Sequence, residues 1–257
     1  MKRLHNLIPI KLPASFTLLD GHCAQHGAGQ TLVRAGQAWF CPSCHEQEVA
    51  LQVQARWIAE RKADLLRDAH IPKKYQGEKF IAQTAAQRHI RTLVTSFLNA
   101  VAHGGQWTAL SLCGVAGTGK TLLACELAHY CASSLLRSVR YVTANEMISE
   151  IQASYSAEGK SEASEITRLV NYDILIIDEI DTKAGSENAQ RLLTDIINRR
   201  YNDNKPVIVV SNQLFDGLGK FVGERVHDRL HENAFICTFQ WPSFRRQTPH
   251  LVRGRHE

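Results

Sequence analysis

The chain has 257 residues, of which 44% are apolar and 21% are charged. These values exclude a disordered or collagen-like protein, and no apolar run approaches the roughly 20 residues that cross a bilayer. The apolar stretch at residues 7–10 is too short for a secretion signal. We therefore expect a cytoplasmic protein with no membrane partner, built from one full domain and a smaller appendage.

The net charge of +5 is unevenly distributed along the chain. Residues 1–79 carry 11 Lys and Arg against 7 Asp and Glu, residues 80–244 carry 15 against 17, and residues 245–257 carry 4 against 1. Basic ends around a neutral centre are compatible with a nucleic-acid backbone as partner. They are equally compatible with a solvated surface that has no partner.

Four residues near the amino terminus have the spacing of a zinc site. Cys23 and His26 form C-x2-H, and Cys41 and Cys44 form C-x2-C fourteen residues later. Three thiolates and one imidazole suit tetrahedral Zn²⁺ with no open position, so the pattern predicts a structural zinc site.

A module this small needs the metal to fold, because structural zinc supplies about 10–16 kcal/mol. We expect a hairpin between the two ligand pairs, with strands at residues 31–33 and 37–40. His22 and His45 each neighbour a ligand and are alternatives in a less regular arrangement. The other four cysteines lack such spacing and are interpreted as buried thiols.

A helix is predicted over residues 46–69, which lack glycine and proline and carry apolar residues at near-helical spacing. Pro72 ends it. Its Trp57 and Ile58 either pack against the chain or form a docking face, and ordinary packing is favoured. A second helix is predicted over residues 84–101, ended by Gly104.

A nucleotide-binding loop follows the apolar strand at residues 107–113 and precedes a helical pattern. The loop reads G-x-x-x-x-G-K-T and consists, with the first helical position after it, of Gly114, Val115, Ala116, Gly117, Thr118, Gly119, Lys120, Thr121 and Leu122. In this context the backbone N–H groups cradle phosphate oxygens, Lys120 reaches the β- and γ-phosphates, and the Thr121 hydroxyl ligates Mg²⁺.

Two acidic residues end the apolar strand at residues 174–178. In a central parallel strand they face the ligand crevice, where Asp178 holds Mg²⁺ through water and Glu179 orients the attacking water. Asn212 ends a third apolar strand, where its amide is placed to bond the γ-phosphate or the attacking water. With a further strand at residues 139–143 and helical patterns at residues 122–136, 145–155, 187–202 and 216–231, the chain is predicted to be a doubly wound α/β domain.

These motifs resemble those of an AAA+ ATPase, and more narrowly of the DnaC-type replicative helicase loaders and the IstB-type transposition helpers. The resemblance covers roughly residues 65–246 and is carried by residues 71–75, 114–121, 173–180, 211–212, 223–230 and 241–245. It implies an AAA+ core with a reduced or absent lid. It also implies that Asn212 is sensor 1, Arg229 the arginine finger inserted into a neighbouring copy, Arg225 a nearby arginine of the same motif, and Arg245 sensor 2.

Arg225 and Arg229 are four residues apart and share one face of a helix. A guanidinium presented to another subunit's γ-phosphate makes hydrolysis depend on assembly and contributes about 10³–10⁵ in rate. On the residues alone, weak surface ion pairs of roughly 0–1 kcal/mol are the better interpretation. The resemblance favours the arginine finger.

The resemblance also implies that a helical insertion, here residues 145–164, meets single-stranded DNA. Tyr155, Lys160 and Ser186 stand at positions similar to the DNA-contacting ones, as an aromatic for base stacking and two groups for phosphate. Tyr155 as a packed core aromatic is equally compatible with the sequence.

The function implied is an ATP-driven loader of a hexameric DnaB-type replicative helicase, engaged by the zinc-bearing amino-terminal region. A transposase regulator is the alternative, and a nucleotide-gated adaptor with negligible turnover is a third reading. The predicted organisation is a zinc module at residues 1–45, a helical connector at 46–79, an ATPase domain at 80–246 and a basic tail at 247–257. Only some twelve residues follow Arg245, so we expect no helical lid of the usual AAA+ kind.

Overall fold

The computed structural model describes residues 16–34, 36–154, 161–181 and 187–246. The chain forms two compact units, Met1–Glu60 and Arg61–Glu257. Among the described helices, none is both long and apolar enough to cross a membrane.

The first unit begins with an antiparallel hairpin. Strands β1 (Phe16–Cys23) and β2 (Gly27–Arg34) pair in register from Phe16 opposite Arg34 to Cys23 opposite Gly27. The tight turn between them ends at Gly27, whose φ of +78° is left-handed and favours glycine.

The predicted hairpin of residues 31–33 and 37–40 is wrong. Residues 37–40 form no strand, and the partner of β2 lies upstream, because the turn between Cys23 and His26 already joins two strands. Trp39 instead covers the hairpin, since a Cβ on Gly21 would lie 2.1 Å from its ring. The Thr31 hydroxyl donates to the Phe40 carbonyl at 2.6 Å and fixes this return of the chain.

Helix α1 (Pro42–Asp68) begins four residues before the predicted start. Proline is favoured in the first turn of a helix, where its missing N–H costs nothing, so Pro42 starts the helix and places Cys44 in its first turn. Trp57 is 60% exposed. The expectation that Trp57 packs against the chain is therefore wrong within the first unit.

The second unit contains the remaining helices and strands. After a 3-10 turn at Lys73–Tyr75 they are α2 (Ala85–His103), β3 (Ala109–Gly114), α3 (Lys120–Ser133), β4 (Val139–Thr143), α4 (Ala144–Ala153), α5 (Glu162–Asn171), β5 (Ile174–Asp178), α6 (Glu187–Asn202), β6 (Val207–Ser211), α7 (Phe215–Val222), α8 (Glu224–His231), β7 (Ala234–Phe239) and a 3-10 turn at Phe244–Arg246.

The five strands β3 to β7 form one parallel sheet in the order β4-β5-β6-β3-β7. Every residue of β3, β5 and β6 is buried, and separate apolar clusters cover the two faces of the sheet. Such near-continuous apolar strands are typical of parallel sheets with helices on both faces. The predicted α/β class is confirmed, and the carboxyl ends of β3, β5 and β6 meet at one edge.

Local rules account for several helix boundaries. Thr84 caps α2 through a capping box with Gln87, and Gly104 ends it with a φ of +66°. The helix predicted at residues 216–231 is two helices, α7 and α8, separated by Gly223 with a φ of +85° and a ψ of 151°. Helix α5 and strand β7 were not predicted from the sequence.

Candidate nucleotide-binding site

The loop between β3 and α3 is held by hydrogen bonds from its backbone N–H groups. Gly114 N donates to Gln213 O at 3.0 Å, and Val115 N donates to Phe239 O at 2.9 Å, so both neighbouring strand exits fix its start. The Thr118 hydroxyl donates to Val115 O at 2.7 Å and closes the loop. Helix α3 begins directly afterwards, and its amino terminus favours an anion.

Lys120 lies at the centre of this loop and is buried. Its Nζ donates to Gly114 O at 2.8 Å, to Val115 O at 2.9 Å and to Asn212 Oδ1 at 3.1 Å. Burial lowers the pKa of Lys120, while the charges of Asp178 and Asp181 oppose that shift. The predicted loop lysine and the predicted sensor asparagine are therefore in direct contact.

Asp178, at the end of β5, is 3% exposed and oriented by two donors. Tyr141 Oη donates to Asp178 Oδ2 at 2.6 Å, and Glu179 N donates to Oδ1 at 2.7 Å. Burial, followed by the charge of Asp178, raises the pKa of Tyr141, so its hydroxyl keeps the proton that it donates. Tyr141 was not among the predicted site residues, although its place on β4, the strand beside β5, was an available signal.

Glu179 follows Asp178 with a φ of +51°, in the left-handed region that side chains other than glycine rarely adopt. Strained backbone of this kind costs about 1–3 kcal/mol and is concentrated at functional sites. Burial raises the pKa of Glu179, and repulsion by Asp178, Asp181 and Glu146 adds to that shift, while Arg245 opposes it. Glu179 is thus an exposed carboxylate held at the rim of the site with increased proton affinity.

The loop, the acidic pair and the two sensor positions line one cavity of about 250 Å³. Its lining residues are Lys74, Tyr75, Ala116, Gly117, Gly119, Lys120, Thr121, Leu122, Asp178, Glu179, Val210, Ser211, Asn212, Phe244 and Arg245. The structure therefore brings together the predicted Lys120, Thr121, Asp178, Glu179, Asn212 and Arg245. Lys74, Tyr75 and Phe244 are additional lining residues to which the sequence analysis assigned no role.

Arg229 does not line this cavity, as far as the chain is described. Its guanidinium donates from Nη1 to Asn198 Oδ1 and lies over the Tyr201 ring, 4.7 Å from the ring centroid. Its own carbonyl accepts from Trp107 Nε1 at 3.0 Å. Arg225, one turn earlier on α8, is exposed.

A family model described as "IstB-like ATP binding protein" matches residues 33–250. The chain belongs to this family. The match includes the whole cleft described above, from Lys74 to Arg245, and it confirms the resemblance inferred from the motifs.

Two relatives of this IstB-like chain come from Escherichia coli. The replicative helicase loader DnaC of Escherichia coli (strain K12) is 33% identical over 135 residues, which are 51% of this chain and 54% of DnaC. The uncharacterized protein YdaV of the same organism is 28% identical over 185 residues, or 70% of this chain and 71% of YdaV. The chain spans about half the length of the DnaC relatives that it matches.

Solved structures show the same fold. The crystal structure of the DnaC helicase loader has a TM-score of 0.55 at 22% identity and covers 65% of this chain and 99% of that chain. Domain III of the Thermotoga maritima replication initiation protein DnaA has a TM-score of 0.56 at 21% identity, covering 67% and 69%. The second unit therefore shares its α/β fold with these two structures.

A second cluster lies in the first unit of the IstB-like chain. The ligand atoms of Cys23, His26, Cys41 and Cys44 all lie within 4.8 Å of one another. Cys23 Sγ is 3.6 Å from Cys44 Sγ, and His26 Nδ1 is 3.5 Å from Cys41 Sγ and 3.3 Å from Cys44 Sγ. Tetrahedral zinc with bonds of about 2.3 Å separates its ligands by about 3.8 Å, so the donor set fits.

Hydrogen bonds lower the pKa of one thiol of the cluster and raise the pKa of another. Backbone N–H groups of Gln25 and His26 lower the pKa of Cys23 to about 6. The hydrogen bond to Cys23 raises the pKa of Cys44 to about 11. Crowded thiols resist becoming thiolates together, and a divalent cation removes that conflict. Cys23 and His26 precede the family match, which begins at residue 33.

The predicted DNA-contacting residues Tyr155, Lys160 and Ser186 lie outside the described residues. Their flanking helices are described. Glu150 of α4 accepts from Arg168 Nη2 of α5 at 2.9 Å and also pairs with Arg140 of β4. Helices α4 and α5 are thereby joined to each other and to the sheet on both sides of residues 155–160.

Proposed function

We propose that this chain is an ATP-dependent loader of a hexameric DnaB-type replicative helicase onto single-stranded DNA. The observation that carries the proposal is the single cleft that joins Lys120, the acidic pair and Arg245 at one edge of the sheet. The likeness to the replicative helicase loader DnaC of E. coli supports the choice of a replicative helicase as partner.

The cleft residues divide the work of ATP hydrolysis among them. Lys120 binds the β- and γ-phosphate oxygens, and Asn212 orients the γ-phosphate or the attacking water. The Thr121 hydroxyl and Asp178 would hold Mg²⁺, which would supply positive charge next to the phosphates. Glu179 orients a water and accepts its proton as the water oxygen bonds to the γ-phosphorus and the bond to the bridging oxygen breaks, which gives ADP and inorganic phosphate.

Arg229 completes the site of a neighbouring copy in this proposal. Contact with Tyr201 and Asn198 holds its guanidinium in place on α8, apart from the cleft of its own chain. A preformed cation costs little ordering when it meets another copy's γ-phosphate. The active species is therefore an oligomer in which Arg229 acts in trans.

Single-stranded DNA is proposed to contact the segment between α4 and α5 and the residue that precedes α6. Tyr155 offers a ring for base stacking, and Lys160 and Ser186 offer groups for phosphate. Arg140, Glu150 and Arg168 join the two helices on either side of residues 155–160 to each other and to the sheet.

The amino-terminal region is proposed to be a structural zinc module that engages the helicase. The ligand separations around Cys23, His26, Cys41 and Cys44 support Zn²⁺ with no open position. The proposed organisation is a module at residues 1–45, a connector at 46–79, the ATPase domain at 80–246 and a tail at 247–257.

A transposase regulator is the second candidate, because the family model that matches most of the chain is described as IstB-like. The two candidates differ in partner and in DNA. A loader binds a hexameric helicase and prefers single-stranded DNA, whereas a transposase regulator binds a transposase and prefers duplex DNA.

Co-purification with candidate partners in the presence of ATP decides between them. Tagged full-length chain is mixed with a DnaB-type helicase or with a transposase, and the bound fraction is measured for wild type, Lys120→Ala and Glu179→Gln. A loader retains the helicase with ATP, loses it in Lys120→Ala, and stays trapped on it in Glu179→Gln. Retention of the transposase alone would replace the proposal by the second candidate, and indifference to Glu179→Gln would indicate an adaptor without turnover.

A further inference from the structure

The segment after β7 lies against the nucleotide-binding loop. We call Phe239–Arg245 the strap. Phe239 O accepts from Val115 N at 2.9 Å, Trp241 Nε1 donates to Thr118 O at 3.1 Å, and Phe244 N donates to Gly117 O at 2.9 Å. Three hydrogen bonds thus join the strap to the loop along its length.

Two glycines of the loop are required by this contact. A Cβ on Gly114 would lie 2.2 Å from Phe239 O, and a Cβ on Gly117 would lie 2.0 Å from Ser243 Oγ. Real Cβ atoms essentially never approach other atoms so closely. The strap and the loop are therefore in van der Waals contact.

Trp241 is the fixed point of the strap. Its ring centroid lies 4.9 Å from that of Phe239 and 6.2 Å from that of Phe80. Phe80 is itself held, because its N–H donates to Glu126 Oε2 at 2.9 Å and its ring meets Gly119 of the loop. The indole ring of Trp241 therefore packs against two phenylalanine rings, and its N–H donates to a carbonyl of the loop.

Arg245 lies at the far end of the strap and lines the cleft. Its backbone N donates to Ser243 Oγ at 3.3 Å, and its side chain is exposed. Within the part of the chain that the structure describes, no hydrogen bond or ion pair fixes the Arg245 guanidinium. Its position over the cleft therefore depends on the backbone of the strap.

We propose that Trp241 is a positioning residue, whose hydrogen bond to Thr118 O holds the strap on the loop and thereby places Arg245 on the nucleotide. The inference deepens the proposed function and depends on it, because it assigns a role in ATP turnover. If Trp241 had only a structural role, its loss would affect hydrolysis independently of Arg245. In this proposal, the effect of Trp241 on hydrolysis depends on Arg245.

The test is a double-mutant cycle in the full chain, with ATP hydrolysis measured in the presence of single-stranded DNA. Trp241→Phe keeps an aromatic ring and removes the N–H donor. Since misplacing a catalytic group by about 1 Å costs up to about 100-fold, we expect kcat to fall about 10- to 100-fold. Trp241→Phe combined with Arg245→Ala should be no slower than Arg245→Ala alone, because both changes remove one interaction.

Tryptophan fluorescence gives an independent readout. The non-hydrolysable analogue AMPPCP should change the emission of the wild type, and Trp241→Phe should abolish that change. Trp57→Phe is the matched control, because Trp57 is exposed on α1 in the other unit. It should keep both the fluorescence change and the wild-type kcat.

Two results would overturn the inference: additive losses in the double mutant, or a fluorescence change that survives in Trp241→Phe. Failure of the proposed function looks different, because a wild-type chain that neither binds nor hydrolyses ATP would fail before any variant is compared.

Discussion

At the scale of single residues, the cleft combines side chains with very different constraints. Asp178 is buried and accepts from two donors, whereas Glu179 is exposed beside it on a strained left-handed backbone. A buried, oriented carboxylate suits a fixed charge, and an exposed carboxylate with a raised pKa suits proton transfer. The two neighbours therefore support two different roles.

The pH profile of kcat tests the role of Glu179. Its pKa is raised above the ordinary value of 4.5, and only the deprotonated form accepts a proton from water. Hydrolysis should therefore rise as the pH increases through that raised pKa, giving an acid limb above pH 4.5. We expect Glu179→Gln to lower kcat at least about 100-fold and to remove the acid limb from the residual rate. An unchanged limb in the variant would assign the titration to another group.

The cysteine cluster gives a second prediction at this scale. Purified chain should contain one zinc ion per molecule by metal analysis, and Cys44→Ser should lose it. Cys131→Ala is the matched control, because Cys131 is a buried thiol on α3, apart from the cluster, and its loss should leave the zinc content unchanged. Since the cleft residues all belong to the second unit, Cys44→Ser should keep ATP binding within about threefold while losing the helicase. A Cys44→Ser protein with full zinc content would contradict the ligand set.

At the scale of helices and strands, the sequence predicts an element well where one periodicity dominates. Strands β3, β5 and β6 are apolar runs buried on both faces, and they were found. Strand β7 was missed because its first residues are half-buried and its short apolar run is interrupted by the polar Thr238. The hairpin was misplaced because the spacing of the cysteines and the histidine shows only that the two ligand pairs meet. Which strands bring them together depends on strand pairing and on the Trp39 ring that covers the hairpin.

The residues of the site were also predictable only where local sequence determines them. Contiguous motifs identified the loop and the acidic pair, since their chemistry is local in the chain. Tyr141, Trp241 and Phe80 were not assigned a role, because each acts through a contact that only the folded sheet creates. The hydrogen bond between Lys120 and Asn212 spans 92 positions and needed the strand order to be known.

Gly223 tests the break between α7 and α8. Its φ of +85° and ψ of 151° lie in a region open essentially to glycine alone, so Gly223→Ala should destabilise the protein by about 1–3 kcal/mol, seen as a lower Tm. It should also reduce oligomer-dependent hydrolysis, since α8 carries Arg229. Gly217→Ala is the matched control: Gly217 lies within α7 with open space around its Cβ, and alanine there is neutral or stabilising by up to about 1 kcal/mol. Equal Tm values for the two variants would show that the break carries no strain.

At the scale of the whole molecule, the cleft and Arg229 belong to one unit of the chain and do not meet within it. Arg229 is held by Asn198 and Tyr201 at a half-buried position on α8. Under the proposed function, Arg229 of a second copy supplies a further cation to this site. Completion of the site by a second copy is the central claim of that proposal.

Mixing two inactive variants tests that claim most directly. Lys120→Ala keeps Arg229 and loses its own nucleotide, whereas Arg229→Ala keeps its nucleotide site and loses the cation that it lends. Each alone should hydrolyse ATP at least about 1,000-fold more slowly than wild type. An equimolar mixture on single-stranded DNA should recover a substantial fraction of the wild-type rate, increasing with protein concentration. A mixture no faster than the sum of its components, or an Arg229→Ala chain with wild-type turnover, would contradict completion of the site by a neighbouring copy.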